Sequence, residues 1–234
     1  MILCLETATN LCSVALCDNA GVVSIRESRD SKSHASMLTV FTGEVLKEAG
    51  IKPNELEAIS VSKGPGSYTG LRIGVSAAKG IAYAASVPLI GIETTMAMFH
   101  GLTQNKAGCR EADSKTLYCP MLDARRMEVY YAVYDCMGRT VRNTSALVID
   151  KTSFSDIPLP QEIVFFGEGA LKLRDILIRP NIRFEEDFKM SASHLLIPSL
   201  RALRDGKLED IAYFEPLYLK DFITTVQKKN LLGR

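Results

Sequence analysis

The segment Ser62-Lys63-Gly64-Pro65-Gly66-Ser67-Tyr68-Thr69-Gly70-Leu71-Arg72-Ile73-Gly74 constrains the fold more than any other part of the chain. Residues 57–62 read as a strand, Gly64-Pro65-Gly66 breaks it, and a helical pattern runs from about Thr69 to Ala85, ended by Pro88. A further strand follows at 89–92. A strand feeding a helix through so tight a turn belongs to an α/β layer. The first N–H groups of such a helix are unpaired and suit an anion or a phosphate, with Gly64, Gly66, Ser67 and Thr69 as candidate ligands. Ser67 or Thr69 is placed to cap the helix. The competing reading is purely structural: glycine supplies positive φ and close backbone approach. The Walker spacing G-x-x-x-x-G-K-[ST] is absent.

The rest of the chain supplies the layers. Residues 2–6, 12–17 and 22–27 read as three strands, the last two joined through Asp18-Asn19-Ala20-Gly21. Ser33 offers an N-cap to a helix ending at Gly50, along which Met37, Leu38, Phe41, Val45 and Leu46 recur at helical spacing. The second half loosely repeats this order. Strands are predicted at 117–122, 128–135, 140–149 and 163–166, a helix at 170–178, and a last helix at about 192–205 before Gly206. The polar stretch 103–115 reads as a loop. The expectation is two lobes with mixed sheets, divided as 1–100 and 101–234, the C-terminal tail free to return to the first lobe.

The 69–85 helix carries more apolar surface than one neighbour needs. At 100° per residue, Arg72, Ser76, Lys79 and Tyr83 cluster on one side, and the remaining arc of roughly 220° is apolar or small, where a one-sided helix needs little over 100°. Gly70, Gly74, Ala78 and Ala82 recur every fourth residue and admit an unusually close neighbour. One cover is the lobe's own sheet. The second is either the 33–49 helix or another chain, with Met37, Leu38, Phe41, Gly70, Ile73, Gly74, Ala77, Ala78 and Ile81 as candidate interface residues.

The ionisable residues do not assemble a catalytic centre in sequence. The chain has three histidines, His34, His100 and His194, without the i, i+4 spacing that lets two imidazoles grip one ion. Phosphoryl transfer needs an acid and an approachable backbone in the first turn, but Glu6-Thr7-Ala8-Thr9 has no glycine. Thr7 and the Gly167-Glu168-Gly169 turn remain candidate anion contacts, which leaves weak ATP or ADP binding open. Asp123, Arg125 and Glu128 read as a charge pair at a turn rather than an acid–base cluster. The six cysteines show no C-x-x-C spacing and read as buried reduced thiols of a cytoplasmic protein. No apolar run reaches the ~20 residues of a membrane span. A formal net charge of +1 argues against gripping nucleic acid alone through a basic surface.

As a string, Gly64-Pro65-Gly66-Ser67-Tyr68-Thr69-Gly70-Leu71-Arg72-Ile73-Gly74 resembles the signature of the TsaB (YeaZ) family. Leu5-Glu6-Thr7-Ala8-Thr9 is similar to the family opening, which usually has Asp where Glu6 stands. Leu122-Asp123-Ala124-Arg125-Arg126-Met127-Glu128-Val129-Tyr130 resembles its mid-chain block, and Pro216-Leu217-Tyr218-Leu219-Lys220 its C-terminal element. The resemblance runs from about residue 1 to 221. It implies two ribonuclease-H-like lobes of the actin, hexokinase and Hsp70 (ASKHA) type. It also implies a non-catalytic subunit that works with a TsaD-like catalytic paralogue and a TsaE-like ATPase. Those partners install N6-threonylcarbamoyladenosine beside the anticodon of tRNA, from threonylcarbamoyl-adenylate. The resemblance further implies pairing through the two helices, as a homodimer or with the paralogue, tRNA being reached only through the complex. No tightly bound cofactor and no metal are expected. The rival is a stand-alone hydrolase of glycoprotease type, or a sugar-kinase-like enzyme, of the same fold.

Overall fold

The computed structural model describes residues 1–29, 34–104 and 115–220. Ser33, most of the expected 103–115 loop, Cys109 and the residues after 220 lie outside them. The first sheet contains β1 (Ile2–Glu6), β2 (Cys12–Asp18), β3 (Gly21–Ser28), β4 (Ala58–Gly64) and β5 (Leu89–Glu93), ordered β3-β2-β1-β4-β5. Its first three strands are antiparallel, and β1–β4 and β4–β5 are parallel. The second sheet contains β6 (Leu117–Asp123), β7 (Glu128–Asp135), β8 (Thr140–Val148), β9 (Ile163–Phe166) and β10 (Ile182–Glu185), ordered β10-β9-β6-β7-β8. Its antiparallel and parallel pairings repeat those of the first sheet. The fold is therefore α/β, two lobes of one topology with mixed sheets.

Every residue of β1 is buried, because the strand is covered on both faces. Leu3 and Leu5 join a core under α1 (His34–Ala49) and α2 (Tyr68–Ala85). Ile2 and Cys4 face the other way, into a central core shared with Tyr118, Tyr134 and Phe166 of the second sheet. Two helices fill this middle layer. They are α3 (Thr94–Thr103) and α4 (Leu196–Arg204), the latter preceded by a 3₁₀ turn over Ala192–Leu195. A third core, around Phe154 and Phe165, backs the second sheet.

Several elements differ from the expectation. The helix predicted at 170–178 is a single 3₁₀ turn over Ala170–Leu173. The last helix is shorter than 192–205, with its first turn 3₁₀. Neither α3 nor β10 is among the expected elements: α3 buries Ala97, Met98, Phe99 and His100 in succession between the sheets, and β10 alternates apolar and charged residues over only four positions. Residues 199–214 pack against the first lobe. Ser199 and Ser60 hydroxyls meet at 2.6 Å, the Glu209 N–H donates to the Leu89 carbonyl, and Phe214 sits in the core under α1 and α2.

Candidate functional site

The glycine turn between β4 and α2 is filled by the chain itself. A Cβ on Gly64, whose φ is +121°, would stand 2.6 Å from the Leu217 carbonyl oxygen. On Gly66 it would strike the Ala8 carbonyl, on Gly70 the Thr7 carbonyl, and on Gly74 the Thr7 Oγ1. Part of the donor set at the helix start is engaged within the chain. The Ser67 N–H donates to the Ala8 carbonyl at 2.7 Å, and the Gly70 N–H to Ser67 Oγ at 3.2 Å, so Ser67 is the cap. Thr69 stands exposed on the first turn of α2. Thr7 is buried and donates its hydroxyl to the Gly70 carbonyl at 2.7 Å. These glycines admit the β1–β2 loop and residue 217 on one side of the turn, while Ser67 and Thr69 stand exposed at the helix start.

The second turn is as tightly packed. A Cβ on Gly167 would lie 2.5 Å from the Met121 carbonyl oxygen, and one on Gly169 2.7 Å from that of Leu122. The Gly169 N–H already donates to Met121 at 3.0 Å. Only the 3₁₀ turn follows, too short to present the dipole of a full helix.

Glu6 is wholly buried. One carboxylate oxygen accepts from Ser62 Oγ, the other from the Ala8 N–H at 2.6 Å. Burial raises its pKa to about 7, against the lowering effect of Ser62 and the backbone donors of Ala8 and Thr9. Both oxygens are engaged within the first lobe, so Glu6 does not stand in for a solvent-facing, metal-holding Asp.

The C-terminal strap, residues 207–220, ties the lobes together. Glu209 pairs with Lys63 at 3.1 Å. Lys79 donates to the carbonyls of Ala212 and Phe214 at 3.2 and 2.9 Å, and Arg72 donates to the Tyr218 hydroxyl at 3.1 Å. Leu217 N–H bonds the Lys63 carbonyl at 2.6 Å, and Lys220 then reaches Glu128 in the second lobe. Beneath the strap lies a cavity of about 240 Å³ lined by residues of both lobes, among them Glu93, Tyr134, Thr144 and Leu217. Thr144 donates to Glu93 at 2.5 Å, while Thr95 bridges Tyr134 and Thr144, each at 2.9 Å.

The two apolar flanks of α2 differ. Gly70, Leu71, Gly74, Val75, Ala78 and Ala82 are buried in the lobe. Ile73, Ala77 and Ile81 are only half-buried, and Ala84 is exposed. On α1, Leu38 and Phe41 are core, Met37 is half-buried and Val40 is 50% exposed. Of the candidate interface residues, Leu38, Phe41, Gly70, Gly74 and Ala78 are thus covered by their own lobe. Met37, Ile73, Ala77 and Ile81 remain at the surface. Gly43 and Gly80 face open space where a Cβ would meet nothing. Within the four-residue spacing of small residues, Gly70 and Gly74 admit Thr7, and Ala78 and Ala82 join the core of the first lobe.

The β6–β7 turn gave little sign of its geometry in the sequence. Arg125 and Arg126 both take positive φ, 68° and 51°, at roughly 1–2 kcal/mol each for a non-glycine residue. Asp123 holds the turn by accepting from the Arg125 N–H at 2.5 Å, and Lys172 clasps it by donating to Asp123 and to the Arg126 carbonyl. Asp123 therefore pairs with Lys172, not Arg125, and Glu128 pairs with Lys220.

The three histidines are separate core residues. His34 Nε2, His100 Nε2 and His194 Nδ1 are buried without a hydrogen-bond partner. Burial lowers the pKa of His100 to about 4, with Arg201 adding to it. It lowers that of His194 to about 4 against the opposing charge of Glu27. Among the described residues, no three of His, Cys, Asp or Glu are grouped to hold a metal ion. Cys4, Cys12, Cys17 and Cys119 are buried free thiols, as read. Cys136 is not: it lies half-buried in the turn after β7 and is disulfide-bonded. No helix among the described residues is long and apolar enough to cross a membrane.

Against known proteins, residues 24–227 match the family model described as TsaD, tRNA N6-adenosine threonylcarbamoyltransferase. The chain is 28% identical over its full length to the tRNA threonylcarbamoyladenosine biosynthesis protein TsaB of Escherichia coli (strain K12), covering 99% of that protein. It is 45% identical to a tRNA N6-adenosine threonylcarbamoyltransferase of Bacillus thuringiensis (strain Al Hakam) over 62 residues, 26% of this chain and 18% of that one. Among solved structures it is similar in fold to YeaZ from Pseudomonas aeruginosa, with a TM-score of 0.78 at 23% identity over 93% of this chain and 99% of that one.

Proposed function

Because the chain belongs to the tRNA N6-adenosine threonylcarbamoyltransferase family, we propose that it serves N6-threonylcarbamoyladenosine synthesis as a non-catalytic subunit. Its likeness to TsaB along the whole chain supports this role. The observation that carries the non-catalytic part is the filled pair of glycine turns. Catalysis on this fold needs preorganised donors aimed at the reacting group. Here the Ser67 N–H is spent on Ala8, the Gly169 N–H on Met121, and the Glu6 carboxylate on Ser62 and Ala8.

What the chain offers instead is a surface. Met37, Ile73, Ala77 and Ile81 form an apolar strip flanked by exposed Val40 and Ala84 and by the open positions Gly43 and Gly80. It suits a second pair of helices, either those of a TsaD-like catalytic paralogue or, in isolation, of a second copy. A TsaE-like ATPase completes the assembly, and tRNA is engaged by the complex. Any ATP or ADP bound by this chain alone is held weakly.

Reconstitution tests the reading. The purified chain with tRNA, ATP and threonylcarbamoyl-adenylate should leave the tRNA unmodified. Added to the TsaD-like and TsaE-like partners it should raise the yield, scored by mass spectrometry of tRNA nucleosides. Modified adenosine from the chain alone, or no change in yield on its addition, refutes the assignment.

A further inference from the structure

We propose that the β6–β7 tip, through Arg125 and Arg126, contacts the phosphate backbone of tRNA. This rests on the reading that the chain works in a tRNA-modifying complex. Both arginines are exposed, and neither guanidinium has an ion pair or hydrogen bond among the described residues. The neighbouring acids are already neutralised, Asp123 by Lys172 and Glu128 by Lys220. The tip therefore carries two uncompensated positive charges on a chain whose formal net charge is only +1.

Its backbone supplies the second observation. Two consecutive non-glycine residues are held at positive φ, although a two-residue turn of Asn and Gly would adopt that shape without strain. Strain of this kind persists where the surroundings over-determine it, and here Asp123 and Lys172 do so. The clasp fixes the backbone from which two planar forks project at the end of the hairpin. Such forks match phosphate oxygens in a bidentate way that lysine does not. A backbone contact carries no base sequence information and positions the nucleic acid instead, as a subunit without its own active site would do.

The test is tRNA binding across a salt series by the full-length chain, with and without its TsaD-like partner, wild type against Arg125→Ala/Arg126→Ala. Each lost phosphate contact lowers the slope of log K on log salt by about 0.7–0.9. The double variant should therefore lose a slope of about 1–2. From 50 to 200 mM salt, wild-type affinity should fall about tenfold more than that of the variant. Arg125→Gly/Arg126→Gly keeps the left-handed backbone without its strain and should give the same result if the alanine variant misfolds. An unchanged slope overturns the proposal. So does displacement of tRNA by equimolar ATP, which would make the tip a nucleotide site, or equally tight, arginine-dependent binding of polyglutamate, which would make it a protein contact. Capture of the TsaD-like partner by the same variants reads the proposed function separately: it should be unaffected, and its failure in wild type would sink that function while leaving the tRNA slope intact.

Discussion

Replacing Glu6 by Gln should stabilise the protein, and by an amount that depends on pH. Glu6 is wholly buried, with a folded pKa of about 7 against an ordinary value of 4.5. A carboxyl whose pKa is raised on folding binds its proton more tightly when folded. Its favourable contribution is fully present below pH 4.5 and is lost as pH rises through 7. The gap corresponds to about 3 kcal/mol of burial cost at pH 8, where the group is charged. Gln has nearly the same shape. Its carbonyl can accept from the Ala8 N–H, and the Ser62 hydroxyl can rotate to accept from the amide. In urea unfolding at constant slope m, Glu6→Gln should match wild type within about 1 kcal/mol at pH 5 and exceed it by about 3 kcal/mol at pH 8. At pH 8 that is a melting temperature higher by roughly 6–12 °C for a chain of this size. A stability difference independent of pH would show that Glu6 is not a buried charge, and a variant less stable at pH 8 would show that its anion is a net structural asset.

The histidines act in the opposite sense. The pKa of His100 falls to about 4 on folding from 6.5, so its contribution is present above pH 6.5 and is lost as pH falls toward 4. His100→Leu should flatten the rise of stability between pH 4.5 and 6.5 by about 1.4 kcal/mol per pH unit, and an unchanged slope in the same urea series would contradict the assignment. On α2, Ala82→Arg puts an unpaired charge into a position of 0% exposure and should melt early or fail to fold. Ala84→Arg, on the exposed flank, should keep its circular dichroism melt and lose assembly in size-exclusion chromatography; unchanged assembly would remove Ala84 from the docking strip.

Both lobes were legible in the sequence because their strands and amphipathic helices carry their own periods. The strand grammar of residues 2–28 recurs at 117–148, and the paired sheets follow it. α3 was invisible for a physical reason. Sandwiched between two sheets, it is apolar in succession and has no polar face to set a phase. The glycines of the Ser62–Gly74 segment illustrate a different limit. Their spacing states that something approaches the helix closely, and it does. It does not state whether the visitor is a phosphate, a second chain or the same chain. Here the visitors are Thr7, Ala8 and Leu217, more than fifty positions earlier or about one hundred and fifty later. Only tertiary placement separates those cases, and the separation decides function. With the β1–β2 loop seated on Gly66, Gly70 and Gly74, these glycines act as a packing joint between the loop and α2, and the proposed recognition surfaces, the apolar strip of α2 and the tip at Arg125 and Arg126, lie elsewhere on the exposed surface.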